Sequence, residues 1–357
     1  NVDFLILVLT PAAVDSPVVK QEWRYARQRG VCIYPVKGVP DTELDYRSLP
    51  KWMCKAHFFD LDREWDTFVN YLKSPCLAAR VPFMAPDLPE DYVERHGLTE
   101  RLLGFLIDKS HEHFAAINIS LYGAGGLGKS TLAVALCHEE DIIGSFDDGI
   151  LWVTLGQNPN IQDSLTKLYA ALSGLRPGFV DKDDAAFYLS EKLEDKNCFI
   201  VIDDVWDPAH LEPFMRGGRS CSRLITTRNF EIAAETSRVE IDQMSTSEAV
   251  QMLISRFSEM PTELNPFKEL ARRLGYWPLL LELANAALRQ RIERGDATEN
   301  ALLYLNRTLR IWNLVDGGEP LTLRGHRSKV VAIAVSSDGQ FALSASSDDT
   351  LRFWPLS

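Results

Sequence analysis

Gly123-Ala124-Gly125-Gly126-Leu127-Gly128-Lys129-Ser130-Thr131 follows the apolar run Ala116 to Leu121 and opens the helical pattern Lys129 to His138. The spacing Gly, four residues, Gly-Lys-Ser between a strand and a helix is that of a phosphate-binding P-loop. Glycines let the backbone fold tightly enough to aim N–H groups at phosphate oxygens, and the helix N-terminus adds positive dipole. In this reading Gly123, Gly125, Gly126 and Gly128 shape the cradle. Lys129 reaches the β and γ phosphates, Ser130 ligates Mg²⁺ and Thr131 completes the first turn. The alternative is an ordinary glycine-rich strand-to-helix turn.

Two later segments belong with this loop. Cys198 to Ile202 is a buried strand that ends in Asp203-Asp204, which places acids at the carboxyl edge of the sheet, where open α/β sheets bind ligands. Asp203 is the candidate Mg²⁺ partner, and Asp204 the candidate for orienting or activating the attacking water. Solvated acids capping a strand end are the plainer alternative. Leu224-Ile225-Thr226-Thr227-Arg228 brings an arginine to the same edge, and a planar, permanently charged guanidinium suits a γ-phosphate.

Outward from the loop, further strands are expected at Ile150 to Leu155, Phe199 to Ile202 and Leu224 to Thr227, with helices at Ile161 to Leu172 and Asp184 to Leu193. The alternation predicts a doubly wound sheet. Beyond Ser245 amphipathic helices take over, at Glu248 to Phe257, Phe267 to Leu274 and Leu279 to Arg291. Upstream, strands at Phe4 to Leu9, Val31 to Val36 and Ala56 to Leu61 alternate with helices at Val18 to Arg29 and Glu64 to Leu72, a smaller α/β unit. Pro75, Pro82, Pro86 and Pro89 mark a linker after it. At the other end, Thr308-Leu309-Arg310-Ile311-Trp312 recurs as Thr350-Leu351-Arg352-Phe353-Trp354, a spacing of 42 residues. A period of about 40–45 with Gly325-His326 near its start reads as propeller blades, with Val330 to Val335 and Phe341 to Ser346 forming a hairpin around Asp338-Gly339.

A length of 357 residues suits two or three domains, and a net charge of -12 gives no general attraction to nucleic acid or anionic membranes. The six cysteines lack Cys-x-x-Cys spacing, and several sit in apolar runs as small hydrophobes, which reads as a reducing cytosol without a zinc site. No apolar stretch reaches the roughly 18 residues of a membrane span. Asn rather than Met at position 1, with a strand already under way, looks like a piece of a longer protein.

Gly-Gly-Leu-Gly-Lys-Ser-Thr at 125 to 131, Ile-Asp-Asp-Val-Trp at 202 to 206, Thr-Thr-Arg at 226 to 228 and Gly-Tyr-Trp-Pro-Leu at 275 to 279 together resemble the NB-ARC module of STAND signalling ATPases. The resemblance covers roughly 90 to 300. It implies that Pro278 lies against the adenine and that Tyr92, Val93 and Arg95 supply base- and ribose-side contacts, beside Arg228 as the γ-phosphate sensor read above. Tyr276-Trp277 departs from the family's usual Gly-Leu-Pro-Leu.

The N-terminal half-domain is similar to a TIR domain from its third strand onward, with Ser16 followed six residues later by Glu22 on a helix. In TIR domains that cleave NAD⁺, this glutamate supports breakage of the nicotinamide–ribose bond. The resemblance therefore makes Glu22 the catalytic candidate; a solvated acid in a first helical turn needs no function. The C-terminal repeat looks like WD repeats, with Trp312-Asn313 and Trp354-Pro355 in place of Trp-Asp. The family's winged-helix domain has no room between Tyr304 and Thr308, so a join of discontinuous segments is expected there.

The expected organisation is a partial flavodoxin-like TIR domain (1–74), a linker (75–90), a P-loop domain (91–243), a helical subdomain (244–305) and a propeller fragment (306–357). The resemblances imply a cytoplasmic, bacterial receptor for immune or antiviral signalling. ADP and ATP set its state, the propeller binds an unknown trigger, and self-association clusters TIR domains that hydrolyse NAD⁺. Alternatives are the same switch with TIR as a pure association scaffold, or a constitutive P-loop ATPase. A transcription factor would need a basic helix or zinc pattern that the sequence lacks.

Overall fold

The computed structural model describes residues 4–46, 49–54, 56–76, 78, 80–107, 117–234, 237–255, 257, 260–307, 309–311, 321–323, 330–335, 341–346 and 350–355. They fall into two compact units, Asn1–Pro89 with His96–Ile241, and Glu90–Arg95 with Asp242–Ser357.

The first unit begins with β1 (Phe4–Leu9), α1 (Pro11–Asp15), α2 (Pro17–Arg29), β2 (Cys32–Lys37), α3 (Lys51–Cys54) and α4 (Leu61–Lys73). The strands pair in parallel from Phe4 opposite Cys32 to Leu9 opposite Lys37. Ser16 caps α2 by accepting the Val19 N–H, Pro17 fits its first turn, and Gly30 ends it in the left-handed region at φ 70°. Trp23 on α2 is buried against Leu7, Leu9 and Val14.

The third strand expected at Ala56 to Leu61 does not form. Phe59 alone bridges to Val36, and Asp60 then caps α4 through the Asp62 N–H, turning the chain into a helix at Leu61. The cysteines also depart from expectation, since Cys32 and Cys76 are joined by a disulfide. Their sequence separation of 44 hid the pairing, which arises because the chain leaving α4 folds back to the start of β2.

From there the proline-rich segment runs along the larger sheet as a strap. The Val81 N–H donates to Arg27 O (3.1 Å), the Ile150 N–H to Pro82 O (2.9 Å) and the Met84 N–H to Ile150 O (2.9 Å). Prolines are tolerated because the strap lies against an edge strand, where missing donors break no central ladder.

After α5 (His96–Leu106) come β3 (Asn118–Tyr122), α6 (Lys129–His138), α7 (Glu140–Ser145), β4 (Gly149–Gly156), α8 (Ile161–Ser173), α9 (Lys182–Leu193), β5 (Cys198–Val205), α10 (Pro208–Leu211), β6 (Ser222–Thr227), α11 (Phe230–Ala234) and β7 (Ser237–Glu240). The five strands are parallel in the order β4-β5-β6-β3-β7. Both faces are covered: Ile200 and Ile202 of β5 pack into one core, and Phe199 and Val201 into the other. Burial on both sides explains the unbroken apolar run of β5. The fifth strand, β7, was not foreseen, because in Ser-Arg-Val-Glu only Val239 is buried.

The second unit holds α12 (Thr246–Ile254), α13 (Asn265–Arg273), α14 (Pro278–Glu293) and α15 (Thr298–Arg307). Ser245 and Glu248 form a reciprocal capping box at the start of α12. Val93, Leu253, Phe267, Leu281 and Leu288 share its core. Then β8 (Leu309–Ile311) pairs antiparallel with β9 (Leu321–Leu323), and β10 (Val330–Val335), β11 (Phe341–Ser346) and β12 (Leu351–Pro355) form an antiparallel sheet. Within that sheet the Trp354 indole N–H donates to Ser344 Oγ at 2.8 Å. Trp312-Asn313, Gly325-His326, the Asp338-Gly339 turn and Thr308 at the expected join lie outside the described residues.

Candidate nucleotide-phosphate site

The apolar strand β3 delivers the glycine-rich loop at the carboxyl edge of the sheet. Gly123 has φ 150°, and a β-carbon there would lie 2.7 Å from Ile241 O, because the chain leaving β7 closes over the loop through the Ile241 N–H to Tyr122 O bond. Gly126 and Gly128 adopt φ 75° and 84°, which favour glycine, and Gly128 caps α6.

Lys129 turns its side chain back over the loop. Its Nζ donates to Gly123 O and Ala124 O, each at 2.8 Å. Burial, and then the neighbouring Arg228 charge, hold its ammonium below the ordinary lysine range, against the pull of Asp204 and Asp203. Ser130 stands exposed on the first turn of α6, with Thr131 half-buried beside it.

The acids sit on an irregular strand. Ile202 faces Ile225 and Val205 faces Thr227, so Asp203 and Asp204 together oppose the single residue Thr226, a bulge in the parallel ladder. Asp204 adopts φ 53°, a conformation aspartate tolerates better than most side chains. Thr226 Oγ1 accepts the Asp204 N–H (2.8 Å) and donates to Asp203 Oδ1 (2.7 Å), while Thr154 Oγ1 donates to Asp203 Oδ2 (3.3 Å). Asp203 is thereby buried with both oxygens bonded.

Arg228 follows β6, which lies between the P-loop strand β3 and the acid-bearing β5. Its guanidinium carbon sits 4.9 Å from the centroid of the Trp206 ring, a cation–π seat. A β-carbon built on Gly125 would lie 2.7 Å from Arg228 Nη1, so the arginine lies directly against the phosphate loop. The fold thus brings Lys129, Asp203, Asp204 and Arg228 together around Gly123–Gly128. Sequence reasoning quoted Thr226 and Trp206 within motifs without giving them a role, and it missed Thr154. The available signal was a pair of threonines in an otherwise apolar strand, since buried hydroxyls need partners.

The remaining singled-out residues lie elsewhere. Glu22 is exposed on α2, beside the two-stranded sheet rather than the five-stranded one. Tyr92, Val93, Arg95 and Pro278 belong to the second unit. There Val93 is core, and Arg95 Nη2 donates to Asp242 O (2.9 Å) and Gln243 O (3.1 Å). Burial lowers the Arg95 pKa, with Glu248 pulling the other way. The Met244 N–H donates to the carbonyl of Tyr276, a residue at φ 55°, so segments 92–95, 242–244 and 276–278 converge within that unit.

The loop, the bulge and the arginine all lie within a segment that matches a known family model. Residues 95–260 match the NB-ARC domain. Residues 317–355 match the WD domain, G-beta repeat. An NB-ARC domain is a P-loop NTPase, which implies nucleotide binding, typically with Mg²⁺. The putative disease resistance RPP13-like protein 2 of Arabidopsis thaliana is 30% identical over 123 residues, covering 33% of this chain and 14% of its own length. The regulatory protein AfsR of Streptomyces griseus is 29% identical over 179 residues, 47% of this chain and 18% of its own length. The chain therefore spans less than a fifth of either relative. A signal transduction ATPase with numerous domains (STAND) and a tetratricopeptide repeat sensor, from Pyrococcus horikoshii, superposes with a TM-score of 0.37 at 18% identity, over 57% of this chain and 31% of that one. Cdc6p from Pyrobaculum aerophilum gives 0.45 at 15%, over 64% and 67%. No helix among the described residues is long and apolar enough to cross a membrane.

Proposed function

We propose that this chain is the nucleotide-controlled part of a STAND-type signalling ATPase, its NB-ARC domain holding ADP in a resting state and ATP in an active one. The observation that carries the reading is the Arg228 guanidinium lying against Gly125 of the phosphate loop. A ligand shifts a two-state equilibrium only through differential affinity, and a fixed cation at the loop responds to the charge that separates a triphosphate from a diphosphate. Lys129 would leave its loop carbonyls for phosphate oxygens, Ser130 and Asp203 would hold Mg²⁺, and Asp204 would position water. Tyr92, Val93, Arg95 and Pro278 would meet the base and ribose.

In the whole protein this switch would govern self-association, with the WD repeat contributing to the surface that meets a trigger. Residues 1–74 would be a TIR-type effector, with the exposed Glu22 as the carboxylate for NAD⁺ cleavage. Residues 75–90 would be the linker, 91–243 the nucleotide domain, 244–305 the helical subdomain and 306–357 propeller.

The test is the nucleotide content of the purified protein. A switch should carry ADP and turn over ATP slowly until triggered, and Lys129→Ala should arrive empty. Steady untriggered ATP turnover would overturn the switch in favour of a constitutive ATPase. For the effector, full-length protein with NAD⁺ should release nicotinamide and Glu22→Ala should not; signalling intact in Glu22→Ala would make the TIR portion a scaffold.

A further inference from the structure

Away from the P-loop, the strap, the start of β2 and the loops preceding β4 and β5 line an open cavity of about 370 Å³. Its walls include Arg27, Trp52, Arg80, Asp148, Leu172 and Lys196. Lys196 and Asp148 pair at 2.8 Å and offset one another. The two arginines form no such pair. Arg27 donates Nη2 to Asp147 O at 2.7 Å, and its guanidinium carbon lies 4.4 Å from the Trp52 ring centroid. It makes no ion pair among the described residues. Arg80 makes neither a hydrogen bond nor an ion pair among them.

Several features fix Arg80 at the rim. The strap is joined to β2 by the Cys32–Cys76 disulfide and to α2 by the Val81 N–H to Arg27 O bond. The Arg80 stem also crosses Gly30 so closely that a β-carbon there would lie 2.9 Å from Arg80 Cγ. Burial pushes the Arg27 pKa down, with Asp147 and Asp148 opposing, so this cation is held in a place that disfavours charge. A half-buried cation whose neighbouring carboxylates do not pair with it directly gains from an anion that does. In a chain of net charge -12, two guanidinium groups outside any ion pair among the described residues, the half-buried Arg27 and the exposed Arg80, stand together at one cavity.

The geometry points to a second ligand site here, for a phosphate monoester bearing a planar ring, of mononucleotide size, its phosphate held by Arg27 and Arg80 and its ring along the aromatic wall that Tyr34 and Trp52 supply. The volume falls in the range of small-molecule sites, which combine apolar walls with a few placed polar groups. Guanidinium groups recognise phosphate bidentately, and an aromatic wall accepts a planar ring by stacking.

Calorimetric titration of the full chain carrying Lys129→Ala, which disables the P-loop, separates this site from the nucleotide switch. AMP should bind with one-to-one stoichiometry, and adenosine or inorganic phosphate alone at least about tenfold more weakly. Adding Arg80→Gln or Arg27→Gln should each weaken AMP about tenfold or more. If Arg27→Gln does not fold, exposed Arg80 decides the matter. No saturable AMP binding, or an affinity unchanged by Arg80→Gln, overturns the site; phosphate binding as tightly as AMP overturns the ring contact.

Discussion

The Thr226 hydroxyl donates to Asp203 Oδ1 at 2.7 Å while accepting the Asp204 N–H at 2.8 Å, so one side chain on β6 holds both acids of the bulge in β5. Removing that hydroxyl leaves a buried carboxylate oxygen and a backbone N–H each short of a partner. Thr226→Val, close in shape, should therefore destabilise the protein by about 1–3 kcal/mol, measured by denaturant unfolding, whereas Thr226→Ser should retain most of the stability. Mg²⁺-dependent ATP binding should suffer more than the fold does. Equal stability of the valine and serine variants would remove Thr226 from this role.

Lys129 gives a prediction with a definite sign. In the unliganded protein its pKa is held below the ordinary 10.5, so between the lowered value and 10.5 the unfolded chain binds more protons than the folded one. Stability from this group accordingly rises with pH through that window. Lys129→Met should leave the unliganded protein as stable as wild type or more so, flatten this alkaline rise and abolish the thermal shift produced by ADP. A wild-type thermal shift in the variant would show that Lys129 does not meet phosphate.

Arg228 is positioned from two sides. Gly125 does not occupy the left-handed region, so Gly125→Ala should fold with little loss, yet its methyl would force the tip of Arg228 off the loop. Trp206→Ala should release the same guanidinium by removing its aromatic seat. Both variants should retain ADP affinity while the ATP-to-ADP affinity ratio changes several-fold, roughly the scale of one cation–π contact of about 0.5–2 kcal/mol. Trp206→Phe should keep the ratio, and it also removes an indole N–H that is buried without a partner. A ratio unchanged in both Gly125→Ala and Trp206→Ala would remove Arg228 from phosphate sensing.

The P-loop was readable because its determinants are local. Gly126 and Gly128 need positive φ, and Lys129 must open the helix, conditions met within a few bonds of one another. Helices α2 and α8 are likewise bounded by local residues, the caps Ser16 and Asn160 and the glycines Gly30 and Gly174 that end them. Where an element rests on what packs beside it, the pattern misled. Ala56 to Leu61 has strand composition, but the Asp60 cap stops it after one bridge. The nearly polar β7 is a strand because β3 offers it an edge.

By itself the sequence determined that a strand, a glycine-rich turn and a helix present a lysine to phosphate, and that two acids and an arginine end neighbouring apolar runs. Only the tertiary structure decided that β6 lies between β3 and β5, since strand order depends on how crossover helices cover the sheet and leaves no mark within any one strand. That order sets Thr226 across from Asp203 and Arg228 against Gly125, and it joins separate motifs into one site because hydrogen bonds and charge contacts act over a few ångströms of space, whatever the distance along the chain.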